Sequence, residues 1–244
     1  MLRLRKYLII ILILFLSYLV VYGAVDFQSA DSDYASMVDS ADFTLGTSFT
    51  LMAWIKTSDS QGEIIANFES GAPYQGFSWA IGASLNDGKQ ELYCADTLVG
   101  GFDKDDGNAV NTGSWIHLAV TRNGSDITWY QNGVQSATDT TTNQTCGDSS
   151  DAPNLARDTN SSPTRYLNGT IDELRIYKQV LTAAQIASAM NQRGEGNENT
   201  DLVLYYRSDE KSGVSLIDFT QRGNTATLQN SPTFVDSSPV TGLE

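Results

Sequence analysis

Residues 115–133 read Trp115-Ile-His-Leu-Ala-Val-Thr-Arg-Asn-Gly-Ser-Asp-Ile-Thr-Trp-Tyr-Gln-Asn-Gly133. Two runs with period-two alternation, Trp115–Arg122 and Ile127–Gln131, flank Asn123-Gly124, and Asn132-Gly133 follows. Alternation places successive side chains on opposite faces of a strand, and Asn-Gly supplies the positive φ that a tight hairpin turn requires. The segment is therefore an antiparallel hairpin. The same pattern continues on both sides: Phe49, Leu51, Ala53 and Ile55 alternate with Thr50, Met52, Trp54 and Lys56, and Phe77, Trp79 and Ile81 alternate with Ser78, Ala80 and Gly82. Gln90–Asp96 and Thr170–Tyr177 read as further strands, with Asn86-Asp87-Gly88 as another turn. So many hairpin-linked strands imply two sheets packed face to face.

One short helix interrupts the strands. Thr182 can cap residues 183–191, with Gln185 as its capping-box partner and Gly194 beyond the end. Ile186, Ala189 and Met190 share one face that can lie on the sandwich. Leu202, Leu204 and Tyr206 alternate as another strand, Thr225–Leu228 reads as a last one, and the turn-rich tail from Asp209 is expected to wrap the sandwich edge.

The chain has 244 residues, 41% of them hydrophobic, and a formal charge of −14, which excludes a disordered protein and disfavours nucleic acid and anionic membranes as partners. Residues 1–23 read as an export signal. Arg3, Arg5 and Lys6 precede an apolar run from Leu8 to Val21, followed by a Val21-x-Gly23 cleavage pattern. An uncleaved anchor is the alternative, although the run is shorter than the ~18–20 residues that cross a bilayer. A secreted or cell-surface location follows, with no membrane insertion once the signal is removed. In an oxidising compartment Cys94 and Cys146 are able to form one bridge, worth on the order of 4 kcal/mol for a loop of this length. Asn123, Asn143, Asn160 and Asn168 begin glycosylation sequons, and turn geometry explains the Asn-Gly pairs equally well.

Five segments, taken in order, resemble the laminin-G-like jelly rolls of the concanavalin A-like lectin/glucanase superfamily. They are Ala24–Phe27 with Asp33-Tyr34, Phe49–Lys56, Ser114–Thr121 with Ile127–Gly133, Leu167–Tyr177 with the helix after it, and Leu202–Asp209. The resemblance implies an all-β, two-sheet antiparallel jelly-roll sandwich. It also implies a single domain over residues 24–244, with 197–244 supplying a C-terminal strand and wrapping tail. Pentraxins of the same superfamily look similar before the Asp172 block, where they place calcium ligands. The corresponding loop here reads Ala156-Arg-Asp-Thr-Asn160, so calcium is expected, if at all, at Asp158 and Asn160, with Arg157 between oxygen donors that normally number six to eight. The second pentraxin loop would fall near Asp59–Gly62 without its acid-amide pair, and Phe102–Gly107 reads as an acidic loop holding Asp103, Asp105 and Asp106.

No catalytic set emerges. The superfamily's glucanases carry a Glu-x-Asp-x-(x)-Glu strand that is missing here, and no Ser-His-Asp set, HExxH or Cys-x-x-Cys is recognisable. Asp172 and Glu173 are neighbours in a strand and should point to opposite faces, His117 reads as structural, and Trp54 and Trp115 read as core. The expectation is a non-catalytic module that binds a glycan or cell-surface protein through rim loops, with Tyr74, Tyr93 and Phe102 as candidate stacking residues. The alternative is a self-associating structural subunit of a surface coat, appendage or virion.

Overall fold

The computed structural model describes residues 22–69, 75–96, 100–142, 144–159, 164–194 and 200–240. Its strands form two antiparallel eight-stranded sheets. Numbered in chain order, the first sheet runs β10 (Val134–Thr140), β9 (Asp126–Gln131), β8 (Ile116–Asn123), β3 (Ser48–Thr57), β12 (Gly169–Tyr177), β1 (Ala24–Phe27) and β16 (Thr233–Val235), with β13 (Leu202–Tyr206) also paired to β12. The second runs β14 (Ser215–Leu216), β15 (Ala226–Gln229), β2 (Tyr34–Ser36), β11 (Asn154–Leu155), β4 (Gly62–Phe68), β5 (Gly76–Ile81), β6 (Lys89–Asp96) and β7 (Gly100–Ala109). The expected hairpin is present, with Leu118 opposite Gln131 and Asn123 opposite Asp126.

One face of each sheet supplies the main core. Phe49, Leu51 and Ile55 of β3 and Trp129 of β9 meet Phe77, Trp79 and Ile81 of β5, all fully buried. This burial is the chief stabilising term, at roughly 1.5–3 kcal/mol per large apolar side chain. The indoles filling this core are Trp79 and Trp129. Trp54 instead faces outward from the first sheet, beneath helix α1 (Ala183–Ala189), where its Nε1 donates to the Met190 carbonyl at 2.8 Å. Trp115 is half-buried near the C-terminal segment.

Helix α1 forms through the expected Thr182–Gln185 capping box and ends two residues earlier than the pattern suggested. Its Ile186, with Leu181, covers Met52, Ala119, Tyr130 and Tyr177 in a second, smaller apolar interior. His117 lies fully buried in this layer, edge-on to Trp54 with centroids 5.4 Å apart. Burial, then the nearby Arg175 charge, pushes its imidazole down to about 3, so it is neutral at physiological pH.

Two expectations are corrected. The acidic run Phe102–Gly107 is part of edge strand β7, not a loop; Asp103 and Asp105 pair with Tyr93 and Glu91 of β6, and Asp106 lies in the bulge beside them, where its carboxylate accepts from Gln90 and Gln131. The segment after Asp209 does more than wrap an edge, since β14 and β15 extend the second sheet and β16 the first. The expected strand at Thr225–Leu228 is β15, whereas the two- and three-residue strands β14 and β16 are too short to carry a periodic signal. Tyr22 and Gly23, the last residues of the expected signal, contact the domain. Gly23 N–H donates to Asp209 Oδ1 at 3.0 Å, and the Arg193 guanidinium stacks on Tyr22 at 4.3 Å. The apolar run 8–21 lies outside the described residues, and no helix among those described is long and apolar enough to cross a membrane.

Candidate functional site: a polar cavity at one rim

Loops at one end of the sandwich line an open cavity of about 710 Å³. The β3–β4 loop contributes Ser58, Asp59, Ser60 and Gln61; Asn86 comes from the β5–β6 turn, Asn111 from the β7–β8 loop, and Thr164 and Tyr166 from the segment before β12. A second cavity of about 260 Å³ shares Ser58 and is bordered by Asp26, Gln28, Lys56 and Asn168. The larger volume falls within the range typical of small-molecule sites.

These loops brace one another. Ser60 Oγ donates to Asn86 Oδ1 at 2.6 Å, Gly88 N–H donates to the Ser60 carbonyl at 3.0 Å, and Gly113 N–H donates to the Thr57 carbonyl at 2.8 Å. Gly88, at φ +75°, lets Asn111 lie directly against the backbone, where an added Cβ would come within 2.4 Å of Asn111 Oδ1. Turn chemistry read from Asn86-Asp87-Gly88 thus also builds a cavity wall.

Beside the cavity, residues 156–159 and 164–167 run antiparallel to one another. Asp158 N–H donates to the Arg165 carbonyl, Leu167 N–H donates to that of Ala156, and Arg157 bridges to Tyr166. Arg165 Nε donates to Glu63 Oε2 at 3.2 Å and lies 3.9 Å from Asp158 Oδ2, while the Ser78 hydroxyl donates to Glu63 Oε1. Arg157 is stacked on Tyr34 at 3.8 Å. Asp158 therefore sits beside a guanidinium, and among the described residues no three His, Cys, Asp or Glu side chains converge to hold a metal. A calcium shell needs six to eight oxygens, backbone carbonyls included, and of the two expected ligands Asp158 is the one among the described residues. Asn160 lies outside the described residues.

Glu63 is fully buried, and its carboxyl is pushed up to about 7 from an ordinary 4.5. Burial raises it most, Arg165 and Ser78 pull it down, and Asp158 pushes it up. A carboxyl with a raised folded-state pKa contributes most stability below its unfolded value. That contribution fades as pH climbs from 4.5 through about 7. Relative to Glu63→Gln, wild type should therefore lose about 3 kcal/mol between pH 4.5 and 8, read by urea unfolding at each pH. A pH-independent difference would show that this carboxyl is not desolvated.

The other sequence candidates lie elsewhere. Tyr93 is half-buried on the outer face of the second sheet, edge-on to Phe68 with centroids 4.8 Å apart. Tyr74 and the Phe102 side chain lie outside the described residues. Cys94 and Cys146 form the disulfide, with Cα atoms 4.8 Å apart. Nothing in the alternating pattern singled out Tyr166, Asn86 or Asn111 as cavity residues, because each wall comes from a different turn.

Asp172 and Glu173 also depart from expectation. The register of β12 against β3 jumps from Asp172–Trp54 to Arg175–Met52, a bulge with Glu173 at φ +53°. The extra residue breaks alternation, and both carboxylates reach Arg193, at 3.3 Å and 3.0 Å. Glu173 also accepts from Arg175 and Tyr205 at 2.6 Å each, and Ser238 donates to Asp172. Burial raises both carboxyls most, Glu173 and Asp209 add to the rise at Asp172 and Asp209 to that at Glu173, and the arginines oppose it. At 0% and 1% exposure the pair is closed to substrate and acts as a structural brace.

A two-sheet antiparallel jelly roll with a polar, loop-built rim cavity has the architecture of lectin-like binding modules. Residues 29–187 match the model of a laminin G-type family in the Concanavalin A-like lectin/glucanases superfamily, and the chain belongs to that family. A Bacteroides ovatus protein described as a candidate carbohydrate-binding protein superposes with a TM-score of 0.68 at 20% identity over 88% of this chain, which spans 60% of that protein's length. The heptameric SAP-like pentraxin of Limulus polyphemus gives 0.56 at 14% identity, covering 89% of this chain and 96% of its own. The CBM40 of the Ruminococcus gnavus IT-sialidase, solved with α2,3-sialyllactose bound, gives 0.52 at 16% identity, covering 69% of this chain and 98% of its own. At these identities the likeness establishes the fold alone. No curated protein matches the chain.

Proposed function

We propose that the protein is an extracellular, non-catalytic glycan-binding module that takes its saccharide in the rim cavity. The observation that carries this reading is the cavity's make-up: about 710 Å³ lined by hydroxyl- and amide-bearing residues from separate, mutually braced loops, with Tyr166 among them. Serine and threonine hydroxyls and asparagine and glutamine amides both donate and accept, as the hydroxyls of a sugar do, and an aromatic ring packs against its C–H face. The occurrence of this fold in a sialyllactose-bound domain supports the reading. The buried state of Asp172 and Glu173, held by two arginines, also favours binding over hydrolysis.

The test is a glycan microarray followed by calorimetry on the strongest binders. Tyr166→Ala is expected to weaken binding about tenfold, equivalent to about 1.4 kcal/mol, with an unchanged thermal midpoint. Tyr93→Ala, on the outer face of the second sheet, should leave affinity unaltered. Loss of binding in Tyr93→Ala with retention in Tyr166→Ala would move the site onto that sheet face.

A further inference from the structure

We infer that the rim cavity selects uncharged glycans and rejects those carrying carboxylate or sulfate groups. This rests on the glycan reading above and names the ligand class of that same site. Among the described residues lining the larger cavity, Asp59 is the single charged group, and neither lysine nor arginine borders it. In the smaller cavity Lys56 shares the walls with Asp26, so the two formal charges cancel.

The nearest described arginines are engaged elsewhere. Arg165 is held by Glu63 and flanked by Asp158, and Arg157 lies over the Tyr34 ring, and neither is among the residues that line the cavity. The whole chain carries a formal charge of −14. A sialate, uronate or sulfate entering the larger cavity would shed water, meet the Asp59 carboxylate, and find no guanidinium or ammonium to receive it. A neutral sugar meets only groups that match its hydroxyls. The discrimination comes from an unfavourable encounter built against one ligand class, in addition to the contacts offered to the other.

The experiment uses the exported protein and six probes at 150 mM salt: cellotetraose, xylotetraose and lactose against trigalacturonate, 3′-sialyllactose and a heparin tetrasaccharide. The neutral set should contain the tightest binder, by at least about tenfold over every anionic probe. That binder's affinity should be insensitive to salt, because no ion pair forms. Asp59→Lys is expected to narrow the gap by about tenfold through gained anion binding that weakens as salt rises. An anionic probe binding tightest, or Asp59→Lys leaving the ratio unchanged, overturns the charge selection while the glycan reading stands. Binding to none of the six overturns both.

Discussion

Arg193→Met should lower the unfolding free energy by about 3–5 kcal/mol at pH 7.5, because it removes one partner of a buried ion network and leaves the others in place. The Arg193 side chain is fully buried, with ion pairs to Asp172, Glu173 and Asp209 and its guanidinium over Tyr22. The variant leaves Asp172 and Glu173 facing each other with only Arg175 nearby, and both already hold their protons more tightly than free carboxyls do. The sign with pH follows from that. Protonation relieves the stranded charges, so the deficit should be largest near pH 8 and shrink toward pH 5. Urea unfolding at both pH values measures it. Pairing Arg193→Met with Asp172→Asn should recover part of the loss, since the second change removes a stranded charge. A deficit under about 1 kcal/mol at pH 8 would mean that water reaches the cluster and the brace is not structural.

Loss of the Cys94–Cys146 bridge should cost about 4 kcal/mol, the loop-entropy value for a separation of 52 residues, with an added contribution from Arg122. Arg122 is fully buried, and its guanidinium donates to the carbonyls of Gly124 (3.0 Å), Gly46 (3.4 Å) and Gln144 and lies 3.3 Å from Cys146 Sγ. Burial alone pushes this arginine down to about 10. The Gln144 carbonyl and the Cys146 sulfur belong to the segment that the disulfide ties to β6. Releasing the segment would take acceptors away from a buried charge as well as freeing chain. Cys94→Ala with Cys146→Ala should therefore couple with Arg122→Leu by about 1 kcal/mol in a mutant cycle, the combined loss being smaller than the sum. Strict additivity would show that Arg122 keeps its acceptors when the bridge is gone.

The sandwich was readable because its evidence is local. Phe49–Ile55, Phe77–Ile81 and Ile127–Gln131 each carry their face assignment in a period of two, and Asn-Gly pairs mark the hairpins whatever surrounds them. The Thr182–Gln185 capping box is likewise complete within four residues. Phe102–Gly107 resisted the same treatment. An acidic edge strand has no apolar face to announce it, and charge at an edge is one way a sheet avoids further pairing.

The cavity and the ion brace rest on other physics. Ser60 meets Asn86 across 26 positions, Arg193 meets Asp172 across 21, and Gly23 meets Asp209 across 186. Such meetings depend on strand register and on a single inserted residue in β12, and register is a property of pairs of strands that neither strand records alone. Residue types in order are enough to say how each segment buries its apolar side. Which polar groups end up sharing a wall or a charge follows only after the sheets have closed, because the energy that closes them comes from apolar burial and is indifferent to what the turns at their ends then bring together.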